Sequence, residues 1–158
     1  MQILRESVPE LFVLLSGPAR GYAKKGLEQL EIPYKHVYLE NYPEIGRLYQ
    51  CLDLYIVASR EEGGPKAILE SMACGIPLVT TRVGQAADMV IHGENALMAD
   101  AEDSEGLAFR RAKLLSDMRL RDKIVNRGFD TASENTYSAH IPLWKDFFTG
   151  FIQEKHIS

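Results

Sequence analysis

Residues 54–84 read LYIVASREEGGPKAILESMACGIPLVTTRVG. The stretch opens on LYIVAS, a continuous apolar run of the length favoured by a strand buried on both faces. A polar turn, Arg60-Glu61-Glu62-Gly63-Gly64, separates it from KAILESMAC, which reads as a helix. Pro65 suits the first turn of that helix, where its missing N–H would have no intrahelical partner in any case. Gly75 closes the helix, and Pro77 leads into LVTT, a second apolar strand. Strand, helix and strand in this order predict a parallel pair with the helix packed on its face.

The same alternation continues in both directions. Upstream, Leu11 to Ser16 is a short apolar strand ending at Gly17-Pro18; AKKGLEQLEI follows as a helix, and KHVYLE, after Pro33, as a strand. Tyr42 to Leu52 reads as a short helix opened by Pro43. Downstream, QAADMVIH is a short helix, HGEN a turn and ALMA a last strand. From Asp103 onward only helices are predicted, over 103–116, 117–133 and 137–153. The expected fold is α/β: a Rossmann-like, mostly parallel sheet with helices on both faces, in one domain over residues 1–158 with a helical tail from 103 to 158.

Composition narrows the function. Hydrophobic residues at 46% and charged residues at 25% describe a globular chain, and 158 residues suit one domain. A formal net charge of −4 without a Lys/Arg run excludes a broad phosphate-neutralising face, so no nucleic-acid partner is expected. Cys51 and Cys74 lie in apolar helical contexts without metal-ligand spacing and are expected to be buried free thiols. His36, His92, His140 and His156 are scattered, which suits surface or turn positions; no metal and no cofactor are expected. The chain lacks a basic, apolar start and any run approaching the roughly 20 apolar residues of a membrane span, so a soluble, cytoplasmic protein is expected. The stripe Tyr137, Ile141, Trp144 and Phe148, with Phe147 and Phe151 beside it, has helical spacing, and two readings are open: a tail helix packed on a core, or an aromatic surface left partly exposed where another domain would cover it.

Ligands of open parallel sheets bind at the carboxyl ends of strands, and a glycine-rich turn before a helix offers unpaired N–H groups to an anion. Residues 54–75 have that layout. Glu70 stands out on the helix because Ala67, Ile68, Leu69, Met72 and Ala73 surround it with apolar groups, and a carboxylate there needs a partner. Two readings are open: an ion pair with Lys66 one turn earlier, or a hydroxyl of a ligand. Arg60 is either a phosphate contact or a surface partner of Glu61, the latter being favoured.

The segment SREEGGPKAILESMACGIPLVTTRVG resembles the signature of the retaining nucleotide-sugar glycosyltransferases with the GT-B fold, known as group 1 or family 4. The resemblance rests on Glu62 and Glu70, separated by seven residues, followed by Gly75-Ile76-Pro77 and Val83-Gly84 in register. It extends to LFVLLSGPARGYAKKGLEQL upstream and GENALMADAED downstream, nearly the whole chain. It implies the carboxy-terminal, donor-binding half of a GT-B enzyme. Glu62 is then the candidate catalytic-site residue, accepting hydrogen bonds from the transferred sugar, and Glu70 binds the ribose hydroxyls. Gly63, Gly64, Lys66 and Ala67 face the sugar and diphosphate at the positive helix end. The nucleoside-diphosphate sugar is a substrate rather than a cofactor. Many members carry an aromatic residue at the position of Gly64 and a glycine at that of Pro65, so the sugar contacts here depart from the common pattern. Gln85 and Asp88, after Val83-Gly84, read as shape and surface residues.

Family members also carry, upstream of this segment, a glycine-arginine turn and a Lys-Gly pair whose cations contact the diphosphate, and neither motif is recognisable here in that place. The resemblance therefore implies a partial domain without its first strand, one that is inactive in isolation and depends on an amino-terminal domain to take up a glycan or lipid acceptor. It further implies a role in cell-surface polysaccharide or glycolipid synthesis, with the full enzyme peripheral at the inner face of the membrane. The competing reading is a non-catalytic interaction module derived from such an enzyme.

Overall fold

The computed structural model describes residues 2–18, 20–61, 66–84 and 86–154. Five short strands alternate with helices: α1 (Gln2–Ser7), β1 (Val13–Ser16), α2 (Gly21–Gln29), β2 (Tyr34–Val37), α3 (Tyr42–Gln50), β3 (Tyr55–Val57), α4 (Lys66–Ala73), β4 (Leu78–Thr81), α5 (Ala86–Met89) and β5 (Leu97–Ala99). Three longer helices follow, α6 (Ser104–Ser116), α7 (Met118–Glu134) and α8 (Tyr137–Glu154). Every strand pairing is parallel, as the α/β reading requires. The strands form two ladders rather than one: β1 pairs with β2, and β4 lies between β3 and β5. Among the described residues no ladder joins β1 to β3.

The three-stranded ladder shows why the apolar runs are continuous. Successive side chains of a strand point to opposite faces, and both faces here are covered. Leu78 and Met98 join Ile68 and Met72 of α4 on one face, with Tyr55 and Val57 packed beside them. Val79 and Leu97 join Leu114 of α6 and Ile124 of α7 on the other, against Ile56. The registers Ile56 with Val79 and Val79 with Leu97 align these layers across the sheet.

Helix starts follow short polar side chains. Asp103 accepts the Gly106 N–H at 2.7 Å, Asp117 accepts that of Leu120, and Asn41 that of Glu44, each occupying an amide that lacks an intrahelical partner. Both cysteines are free. Cys51 is exposed, contrary to the buried position expected, because it caps α3 beyond the buried turn of Tyr49 and its thiol donates to the Arg47 carbonyl. His36 departs from the surface reading as well: it is half-buried on β2, and Nε2 donates to the Gly17 carbonyl at 2.7 Å.

The aromatic stripe of α8 is exposed rather than packed on a core. Trp144 is 58% exposed and Phe147 61%, and the rings contact one another instead, Trp144 stacking on Phe148 and Phe147 on Phe151. Among the described residues no helix is long and apolar enough to cross a membrane.

Candidate functional site

The loop after β3 and the first turn of α4 meet at the carboxyl edge of the three-stranded ladder. Helix α4 is fixed there by its inward face. Ile68, Ser71 and Met72, at the i, i+3, i+4 spacing of one helical face, are all buried, and the Ser71 hydroxyl donates to the Ile68 carbonyl. Helix α7 packs closely behind it: a Cβ added to Gly128 would lie 3.2 Å from Met72 Cγ.

The exit of β3 is tied down by Thr81 at the end of β4. This buried hydroxyl donates to the Ser59 carbonyl at 2.6 Å, anchoring the chain where it enters the polar turn. The loop then continues through Arg60, whose Nε lies 3.0 Å from Glu102. The surface reading of Arg60 thus holds with a different partner: Glu102, brought in by the return of the chain after β5, takes the place expected for Glu61.

Of the residues read from the sequence, Lys66 and Ala67 occupy the first turn of α4, and Glu70 lies one turn further on. Lys66 is exposed and Ala67 half-buried. The N–H groups of this first turn lack intrahelical acceptors and carry the positive end of the helix dipole, so they favour an anion. Glu62, Gly63 and Gly64 lie outside the described residues, as do Pro65 and Gln85. Asp88 is an exposed residue of α5.

Glu70 is half-buried, and its Oε2 accepts a hydrogen bond from the Tyr49 hydroxyl at 3.3 Å. No ion pair joins it to Lys66 among the described residues, which removes that alternative. Tyr49, on the buried face of α3, also donates to the Ala67 carbonyl at 3.2 Å, and its ring meets Tyr55 edge-on. Burial, with Tyr55 and Glu70 adding to it, holds the Tyr49 phenol far above its ordinary range, so it stays a protonated donor. Cys74, one turn beyond Glu70, is likewise pushed up by burial, then by that carboxylate, and remains a thiol at neutral pH.

Sequence reasoning missed Tyr49 and Thr81. Thr81 left a signal, since a hydroxyl inside an apolar strand must find an acceptor. Tyr49 left a weaker one, because its partner Glu70 lies 21 positions away. Among the described residues no group of three or more His, Cys, Asp or Glu side chains is placed to hold a metal ion.

Parallel strands, helices on both faces and a strand-to-helix loop at the carboxyl edge define a Rossmann-like domain, the architecture of the carboxy-terminal half of GT-B glycosyltransferases. The chain belongs to the family of glycosyl transferases group 1, whose model matches residues 1–131. It is 26% identical over 140 residues to N-acetyl-alpha-D-glucosaminyl L-malate synthase of Bacillus anthracis, covering 89% of this chain and 37% of that protein. The chain thus spans little more than a third of that relative. Among solved structures it is similar to the C-terminal domain of a glycosyl transferase group 1 family protein (LpcC) from Francisella tularensis, with a TM-score of 0.70, 23% identity and coverage of 85% of this chain and 74% of that one. It is also similar to Anabaena Alr3699/HepE in complex with UDP-glucose, with a TM-score of 0.73, 24% identity and coverage of 85% and 40%. At these identities the structural likeness speaks for the fold.

Proposed function

We propose that this chain is the donor-binding part of a glycosyltransferase that moves a sugar from a nucleoside diphosphate to an acceptor with retention at the anomeric carbon. The observation that carries the reading is Glu70: a half-buried carboxylate at the carboxyl edge of parallel strands, held by a tyrosine rather than by a lysine. A carboxylate accepts and never donates, which matches the paired hydroxyls of a ribose. The first turn of α4, carrying Lys66 and Ala67, faces the diphosphate, and Glu62, Gly63 and Gly64 take the transferred sugar. Chemistry of this kind requires stabilisation of the departing diphosphate. In this reading no carboxylate forms a bond to the sugar, and no metal or cofactor takes part. The solved relative that carries UDP-glucose supports a donor of this class.

The acceptor, a glycan or lipid, is taken up by an amino-terminal domain of the full enzyme, which works in the cytoplasm or at the inner face of the membrane. Relatives in capsular polysaccharide and lipopolysaccharide core biosynthesis support a role in cell-surface polymers. The test is calorimetric titration of the chain with UDP, GDP and their sugars, beside Glu70→Ala. Binding by the wild type that falls at least tenfold in the variant is expected; a loss of ~1.4 kcal/mol corresponds to that factor. A folded wild type that takes up none of these ligands would favour the interaction-module reading instead.

A further inference from the structure

We propose that Tyr49 is a positioning residue for the nucleotide, orienting Glu70 toward the ribose. The inference rests on the donor-binding reading and adds to it a residue on α3, outside the loop and helix of the sequence signature.

The geometry is that of a fixed bracket. Tyr49 is 5% exposed and its ring is held edge-on by Tyr55 of β3, with centroids 5.1 Å apart. Its hydroxyl sits 3.2 Å from the Ala67 carbonyl and 3.3 Å from Glu70 Oε2, so one proton is shared between the helix backbone and the carboxylate one turn later. A glutamate on a helix has three side-chain torsions to fix, and fixing them costs conformational entropy when a ligand must do it. The tyrosine fixes them in the free protein. With Oε2 occupied by the phenol, Oε1 is, among the described residues, the oxygen left to accept a ligand hydroxyl. Because the phenol bonds Ala67 as well, it also locks the carboxylate to the turn whose N–H groups face the diphosphate.

Tyr49→Phe keeps the ring and removes only the hydroxyl, and 2′,3′-dideoxy-UDP keeps the base and diphosphate and removes only the ribose hydroxyls. Calorimetric titration of the 158-residue chain with UDP and with this analogue separates positioning from packing. The expected result is UDP binding weakened about five- to twentyfold by Tyr49→Phe, the scale of a single hydrogen bond, with the analogue's affinity unchanged. In a Glu70→Ala background the same substitution should have no further effect. Equal losses for UDP and the analogue, or no loss for either, overturn the positioning role while leaving the donor reading intact. A folded wild type that binds neither UDP nor GDP overturns the donor reading and the positioning role together. A second measurement uses the unsubstituted chain labelled with 3-fluorotyrosine. The Tyr49 fluorine resonance, assigned against the other tyrosines, is expected to shift with UDP and to stay in place with the analogue; an unmoved resonance with UDP also counts against the role.

Discussion

Phe129 of α7 lies against Gly75, the residue that ends α4, so closely that a Cβ on the glycine would stand 3.0 Å from Phe129 Cζ. Gly75 has φ of +72°, and the hydrogen bonds around it close the helix: its own N–H donates to the Met72 carbonyl and the Ile76 N–H to that of Ser71. Left-handed backbone and close contact coincide at one position, and both favour glycine.

Gly75→Ala is therefore expected to lower unfolding free energy by about 1–3 kcal/mol, the range for a non-glycine residue held in the left-handed region. Urea unfolding measures it. In a Phe129→Leu background the steric part should be relieved and the backbone part should persist. A loss that vanishes completely in that background would show that φ contributes nothing.

Thr81→Val tests the anchor of the loop. The substitution keeps the shape of the side chain and removes the donor to Ser59, leaving a carbonyl in a half-buried setting without that partner. A stability loss of about 1–3 kcal/mol is expected, together with weaker UDP binding, since the loop that starts at Ser59 leads to Glu62. Wild-type affinity at reduced stability would mean that the anchor serves the fold alone.

Much of this architecture is legible in the sequence because local physics sets it. Apolar runs such as LYIVAS and LVTT gave strands within two residues of those observed, since both faces of the ladder are buried and alternation is absent. Asp103 and Asp117 marked helix starts because their carboxylates cap the first turn. Pairings between distant residues were not legible. Arg60 and Glu102 lie on opposite sides of two crossovers, and Tyr49 reads from sequence only as one more residue on the buried face of α3. The division into two ladders is non-local in the same way, since no local pattern of β1 or β3 states which neighbour each edge will bond. At the candidate site the glutamate was visible because a charge interrupts an apolar helix, while the group that holds it was not.

His92 gives a prediction for pH. Partial burial of the ring, followed by the positive charges of Arg110 and Lys113 and, to a smaller extent, Arg82, lowers its pKa below the usual 6.5. The Met98 amide donates to Nδ1 at 2.9 Å, so a proton on Nδ1 would displace the bond that ties the turn to β5. The unfolded chain accordingly binds the proton more readily than the folded one, and stability rises with pH across the titration. The contribution is fully present above pH ~6.5 and is lost as pH falls through that value toward the lower folded pKa. Urea unfolding at pH 7.5 and 5.5 should show a smaller acid loss in His92→Gln than in the wild type. The other three histidines are common to both proteins, so the difference between the two slopes isolates His92. Equal slopes would mean that protonation of this ring is no costlier in the folded chain than in the unfolded one.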